Sequence, residues 1–223
     1  MPISNITPPD HTVDIVFCID MTCNNSIAEQ LRCDLKNLFT RLAEDFAKNS
    51  GFELHTLRVR FVLFRDYEYD YEPMIESQFF VLDEELDEAL AFLSEMYPGG
   101  GGDMPECAFE ALALAVNSEW TEPRDCHRRI ICLTTDSSAK PLGECRDCVG
   151  YPEQMPESVE DILDVWSNMP RRGINRIMLF APNDTCWDEL QMWEGLFHVP
   201  VERFNGCNDV DFVDTLVKLV TLS

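Results

Sequence analysis

The chain has 223 residues, 41 of them acidic and 17 basic, for a net charge of -24. So acidic a surface repels phosphate backbones and anionic lipid head groups, which argues against nucleic-acid or membrane-surface binding and favours cations or basic partners. At 45% apolar residues, with 14 Phe, the length suits one α/β domain with a sizeable core. No apolar run approaches the roughly 20 residues needed to cross a bilayer. The polar stretch 1–12, with three prolines, reads as a leader to a domain over 13–223 and not as a secretory signal. Ten cysteines without such a signal point to a reducing compartment and free thiols, so a cytoplasmic location is expected.

Residues 13–20 form a continuous apolar run, the pattern of a strand covered on both faces. Asn25 or Ser26 can cap a helix to about residue 49, whose apolar positions Ile27, Leu31, Leu35, Leu38, Leu42 and Phe46 recur at helical spacing, and Gly51 ends it. Strands follow over 57–64 and 78–82. Their connection, rich in acidic and aromatic residues, leaves no room for a helix, so the two should pair antiparallel. A helix over 83–96 leads to Gly99-Gly100-Gly101-Gly102-Asp103-Met104-Pro105-Glu106, and Pro105 opens a further helix at a position where proline is tolerated. The second continuous apolar strand is 129–135. Helix 159–169, strand 174–181, helix 186–196, strand 199–204 and helix 210–221 complete the chain. This alternation predicts a Rossmann-like, doubly wound and mainly parallel sheet of six strands, with one antiparallel edge strand and helices on both faces. Ligands of such sheets sit beyond the carboxyl ends of the strands, where strand order reverses. Asp20 and Asp136 both fall at such ends.

Around those positions the oxygen-bearing residues gather. Asp20, Thr22 and Asn24 alternate along the turn after the first strand, which sets three oxygen ligands on one side with Met21 and Cys23 facing away. Asp136 follows the other central strand. Asp103 and Glu106 lie where the Gly-rich loop enters a helix. Carboxylate, hydroxyl and amide oxygens suit a hard divalent cation, Mg²⁺, Mn²⁺ or Ca²⁺, with open positions left for water. Taken singly, each of these residues also reads as an ordinary helix or turn cap.

From about Asp14 to Leu222 the chain resembles the von Willebrand factor A domain family and its metal-ion-dependent adhesion site. Asp20-Met21-Thr22-Cys23-Asn24 is similar to the family's Asp-x-Ser/Thr-x-Ser motif. The Gly-Gly-Gly-Asp-x-Pro-Glu segment resembles that of intracellular members associated with kinases and tellurium resistance, as does Phe64-Arg65-Asp66-Tyr67, and Leu133-Thr134-Thr135-Asp136 resembles the third metal loop. The Asp-x-Pro-Glu turn is also similar to that of integrin β subunits, which implies that Glu106 contacts the metal. Three positions depart from the pattern: Asn24 stands where Ser is usual, Cys23 where Gly is usual, and Met104 where Thr is common. The resemblance implies a non-enzymatic binding module, in which the cation takes an acidic side chain from a protein partner.

Cys145-Arg146-Asp147-Cys148 is a Cys-x-x-Cys pair suited to zinc or to a redox couple. Cys126-His127 flanks the opposite end of strand 129–135, about 23 Å away at strand rise, which leaves a half-site, a reactive pair or free thiols, or a zinc shell completed by Cys23 or Cys107 from neighbouring loops. Two other functional readings stand beside the binding module. One is a Mg²⁺-dependent phosphotransferase of haloacid dehalogenase type with Asp20 as nucleophile, although Thr22 stands where that family has a second Asp. The other is a scaffold of the same fold without the metal.

Overall fold

The computed structural model of the protein describes residues 11–22, 27–49, 53–95, 97–122, 127–169, 173–202 and 211–222. The expected Asn25/Ser26 cap, the Gly51 stop, Asn24, Cys23 and Cys126 lie outside them.

Strands β1 (His11–Asp20), β2 (Leu54–Phe64), β3 (Met74–Glu76), β4 (Phe80–Val81), β5 (His127–Thr134), β6 (Ile174–Ala181) and β7 (Leu196–Pro200) form one sheet. Its order is β3-β2-β1-β5-β6-β7, with β4 also paired to β2. The β1–β2, β1–β5, β5–β6 and β6–β7 pairs are parallel, while β3 and β4 run antiparallel to β2. The sheet therefore has seven strands, one more than expected: β4 falls within the predicted 78–82, and β3 is an added strand in the connection before it. Between them Ser77 turns back on β2: its hydroxyl accepts from Phe61 N–H at 2.9 Å and its own N–H donates to Phe61 carbonyl at 2.9 Å.

Successive side chains of a strand point to opposite faces, and here both faces are apolar. On β1, Val13, Ile15, Phe17 and Ile19 join one cluster, and Val16 and Cys18 join the other. Helices α1 (Ile27–Asn49), α2 (Leu86–Glu95) and α6 (Phe212–Thr221) cover the first face through Leu35, Leu38, Leu42, Phe46, Leu93 and Leu216. The second face carries α3 (Ala108–Val116), α4 (Val159–Ser167) and the single turn α5 (Asp188–Gln191), with Trp166 and Trp187 fully buried. A capping box fixes the start of α4: the Ser158 hydroxyl accepts from Asp161 N–H while the Asp161 carboxylate accepts from Ser158 N–H.

α3 is buried on almost every side, as its Ala-rich sequence permits. Small side chains let its backbone approach β1 closely enough for the Cys18 thiol to donate to Ala111 carbonyl at 3.6 Å. The helix expected over 186–196 is instead a 3-10 turn, Thr185–Trp187, plus α5, and β7 begins at Leu196, earlier than the predicted 199. The reason is local: the turn at 192–195 lets Gly195 carbonyl accept from Ile177 N–H at 3.1 Å, which starts the β6–β7 ladder early. Strand order reverses at β1, so the crevice beyond the carboxyl ends of β1 and β5 is the switch point of the sheet.

Candidate metal centre

Asp20 ends β1 with its side chain fully buried. Its Oδ1 accepts from Thr22 N–H at 2.9 Å and from the Thr22 hydroxyl at 2.7 Å, and its Oδ2 accepts from the Thr135 hydroxyl at 2.6 Å. Thr135 thus ties the end of β1 to the end of β5, and Asp136 follows it, also buried. Glu106 arrives from the other side. It is held by a parallel backbone bridge to Ala139, in which its N–H donates to Ser138 carbonyl at 3.0 Å and its carbonyl accepts from Lys140 N–H at 2.8 Å.

The Gly-rich loop closes over this crevice. Gly99 N–H donates to Met21 carbonyl at 2.7 Å, and Gly101 N–H donates to Asp70 Oδ2 at 2.9 Å. Arg65 pins the loop by donating to the carbonyls of Gly99 (2.8 Å), Tyr97 (2.9 Å) and Glu72 (3.0 Å). Gly101 has φ +67°, and a Cβ built there would lie 2.9 Å from Glu106 Oε1 and 3.0 Å from Thr22 Cβ. Only glycine leaves that space open.

Burial pushes the Asp20 carboxyl up to about 6, an effect that Asp136's charge reinforces and that hydrogen bonds from Thr135 and Thr22 oppose. Burial, and then the charge of Asp20, push Glu106 up to about 8. Glu106 Oε2 is buried with no hydrogen-bond partner among the described residues. Glu106, raised in part by the charge of Asp20, is thus a buried carboxylate with an oxygen that could serve a divalent cation. Of the residues singled out from the sequence, Asp20, Thr22, Glu106 and Asp136 lie at this edge, but the carboxylate oxygens of Asp20, Glu106 and Asp136 do not all come within 4.8 Å of one another. Asp103 does not join them: it is half exposed, with Oδ1 3.7 Å from Lys140 Nζ and Oδ2 3.5 Å from the Tyr69 hydroxyl. Asn24 lies outside the described residues.

Beside this edge lies a cluster that sequence reasoning found only in part. Lys140 is 2% exposed, and its Nζ lies 2.8 Å from Asp66 Oδ2 and 2.9 Å from Glu68 Oε2. Burial alone would favour its neutral form, but those two acids more than reverse this and raise its pKa. The Cys145 thiol is buried 3.9 Å from that of Cys107, and Cys148 packs half-buried on the same group. Asp66 was visible only inside the Phe64-Arg65-Asp66-Tyr67 motif. Lys140 had no local signal.

The amino end of the sheet holds a separate polar network. Buried Asp14 accepts from Arg58 at 2.9 and 2.6 Å and from Thr121 N–H at 2.8 Å, and its Oδ2 lies 3.2 Å from His127 Nε2. Burial opposes its charge, but Arg58, His127 and Thr121 hold the carboxyl well below the usual range. His127 therefore sits at the opposite end of β5 from Cys145.

No protein-family model and no curated protein sequence matches the chain. Solved structures do. The pilus adhesin SpaC from Lactobacillus rhamnosus GG in its open conformation aligns with TM-score 0.52 and 13% identity, over 98% of this chain and 30% of that one. A second SpaC structure gives TM-score 0.54 at 13% identity over 98% and 31%. A mutant of the PilB minor pilin from Streptococcus sanguinis aligns with TM-score 0.52 and 11% identity, over 98% and 63%. The chain thus spans less than two thirds of each. At such identities the likeness is one of fold: an α/β domain with a mostly parallel sheet. No described helix is long and apolar enough to cross a membrane.

Proposed function

We propose that the chain is a metal-ion-dependent protein-binding module of the von Willebrand factor A type. The observation that carries this reading is the pair of buried carboxylates, Asp20 and Glu106, at the switch point of the sheet, with Glu106 Oε2 lacking a hydrogen-bond partner among the described residues. Asp20, Thr22, Glu106 and Asp136 would hold the ion, and an all-oxygen set of this kind favours Mg²⁺, with Mn²⁺ or Ca²⁺ as substitutes. When bound, the ion supplies a positive charge with a coordination position open to a carboxylate from a partner protein. The chain's own contribution is positioning. Thr22 and Thr135 orient Asp20, the Ala139 bridge fixes Glu106, and Gly101 keeps the approach clear. The net charge of -24 makes a free acidic partner an unfavourable guest unless a cation meets it. The likeness to a pilus adhesin and a minor pilin supports the fold, and the binding role rests on the site.

The test is calorimetric titration of the protein with Mg²⁺ and Mn²⁺ alone, followed by capture of partners with and without EDTA. Saturable binding that falls at least tenfold in Asp20→Asn is expected. Equal binding by wild type and variant, or capture unaffected by EDTA, would overturn the proposal.

A further inference from the structure

We propose that Asp66, Cys107 and Cys145 form a second, separate metal centre, specific for zinc, with Cys148 as its fourth ligand. The three residues come from three remote segments: the loop after β2, the start of α3 and the loop after β5. They are 0%, 0% and 3% exposed. Their ligand atoms form a nearly equilateral triangle. Cys107 Sγ lies 3.7 Å from Asp66 Oδ1, Cys145 Sγ lies 3.9 Å from the same oxygen, and the two sulfurs are 3.9 Å apart. The centre of such a triangle lies about 2.2 Å from each corner, against zinc–sulfur bonds of about 2.3 Å and zinc–oxygen bonds of about 2.0–2.2 Å. An ion lifted slightly off that plane meets all three atoms at bonding distance without backbone movement. This is one face of a tetrahedron.

The donor set selects the metal. Two or three sulfurs with one carboxylate suit a borderline-soft, tetrahedral ion and exclude the hard cation proposed for the Asp20–Glu106 edge. The fourth corner comes from sequence spacing. Cys148 is three residues beyond Cys145, the Cys-x₂-Cys spacing of zinc knuckles, and a turn closes between them through Cys148 N–H and Cys145 carbonyl at 2.9 Å. Cys148 packs on the cluster and lines an open groove beside Tyr67 and Glu68, which gives the ion a route in.

The outer shell is also in place. Lys140 Nζ pairs with Asp66 Oδ2 at 2.8 Å, while Oδ1 faces the sulfurs and also accepts from Glu68 N–H at 2.9 Å, and Tyr67 and Tyr151, ring centroids 5.0 Å apart, wall the site. Such partners orient ligands and balance the thiolates' charge. Cys107 directly follows Glu106 in sequence, so this centre would brace the loops that carry the other edge, yet its ligands are distinct.

The experiment is elemental analysis of the full chain purified from zinc-supplemented culture, paired with cobalt substitution. About one zinc per chain is expected, along with a thiolate-to-cobalt charge-transfer band and the intense visible bands of tetrahedral cobalt. Cys145→Ser should lose both, and Asp66→Asn should lower zinc affinity at least tenfold. Asp20→Asn should keep the zinc while losing its Mg²⁺ response, which separates failure of this centre from failure of the other. Because the wild-type measurement stands alone, a variant that does not fold leaves the test intact. Wild-type protein without zinc and with freely titrating thiols, or with Cys107 and Cys145 joined as a disulfide, would overturn the inference.

Discussion

Replacing Glu106 by Gln should stabilise the cation-free protein at alkaline pH, a sign opposite to that of most buried substitutions. Glu106 stands at about 8 against an ordinary 4.5, and one pKa unit corresponds to about 1.4 kcal/mol. Full ionisation therefore costs the fold on the order of 5 kcal/mol, part of it repulsion from Asp20 that the amide also removes. Between about pH 4.5 and 8 the folded state binds more protons than the unfolded one, so wild-type stability falls across that window and stays low above it. Gln does not titrate. Its advantage in EDTA should grow from near zero at about pH 4.5 to roughly 4 kcal/mol at about pH 8, or about 8–16 °C in Tm for a chain of this size. Millimolar Mg²⁺ should then reverse the order, raising the wild-type Tm by mass action and leaving the variant unmoved. Thermal melts by circular dichroism at three pH values, with EDTA and then with Mg²⁺, make the measurement. A variant less stable than wild type at about pH 8 in EDTA, or a difference that ignores pH, would refute the reasoning.

Gly101→Ala should cost about 1 kcal/mol through its positive φ and, because the added methyl meets Glu106 Oε1 and Thr22, should weaken Mg²⁺ binding at least tenfold by calorimetry. Asp14→Asn breaks the buried Arg58–His127–Thr121 network and should destabilise by about 3 kcal/mol at neutral pH. The folded Asp14 carboxyl lies below its ordinary 3.8, so its contribution is complete above that value and is lost as pH falls further; urea melts should show the two proteins converging below about pH 4. Arg65→Ala frees the carbonyls of Gly99, Tyr97 and Glu72, so amide exchange at the Gly-rich loop should quicken at least tenfold with little change in the β1 and β5 amides.

What the sequence disclosed divides along physical lines. Periodicity exposed the central strands because β1 and β5 are buried on both faces, and the carboxyl-edge rule then brought Asp20 and Asp136 to one crevice. Glu106 was visible through its Gly-rich approach. The edge was harder: β3 and β4 are three and two residues long, too short for alternation to declare itself. Helix 186–196 failed because Trp187 and Leu190 are buried by tertiary contacts that one turn suffices to make. Least legible was the partnership Asp66–Lys140, which unites residues 74 positions apart in sequence (140 less 66) and is set by how loops stack at the sheet edge, not by any local pattern. Cys107 was legible beside Cys145 only as one of two candidate cysteines from neighbouring loops.

The single rung joining Glu106 to Ala139 grips that glutamate by both its amide and its carbonyl. The backbone of Glu106 is therefore coupled to the segment behind Asp136, while its side chain keeps its own torsions. A displacement large enough to move that backbone would shift the 138–140 segment and the start of α3 with it, so a pull at the rim would reach the helical layer beneath.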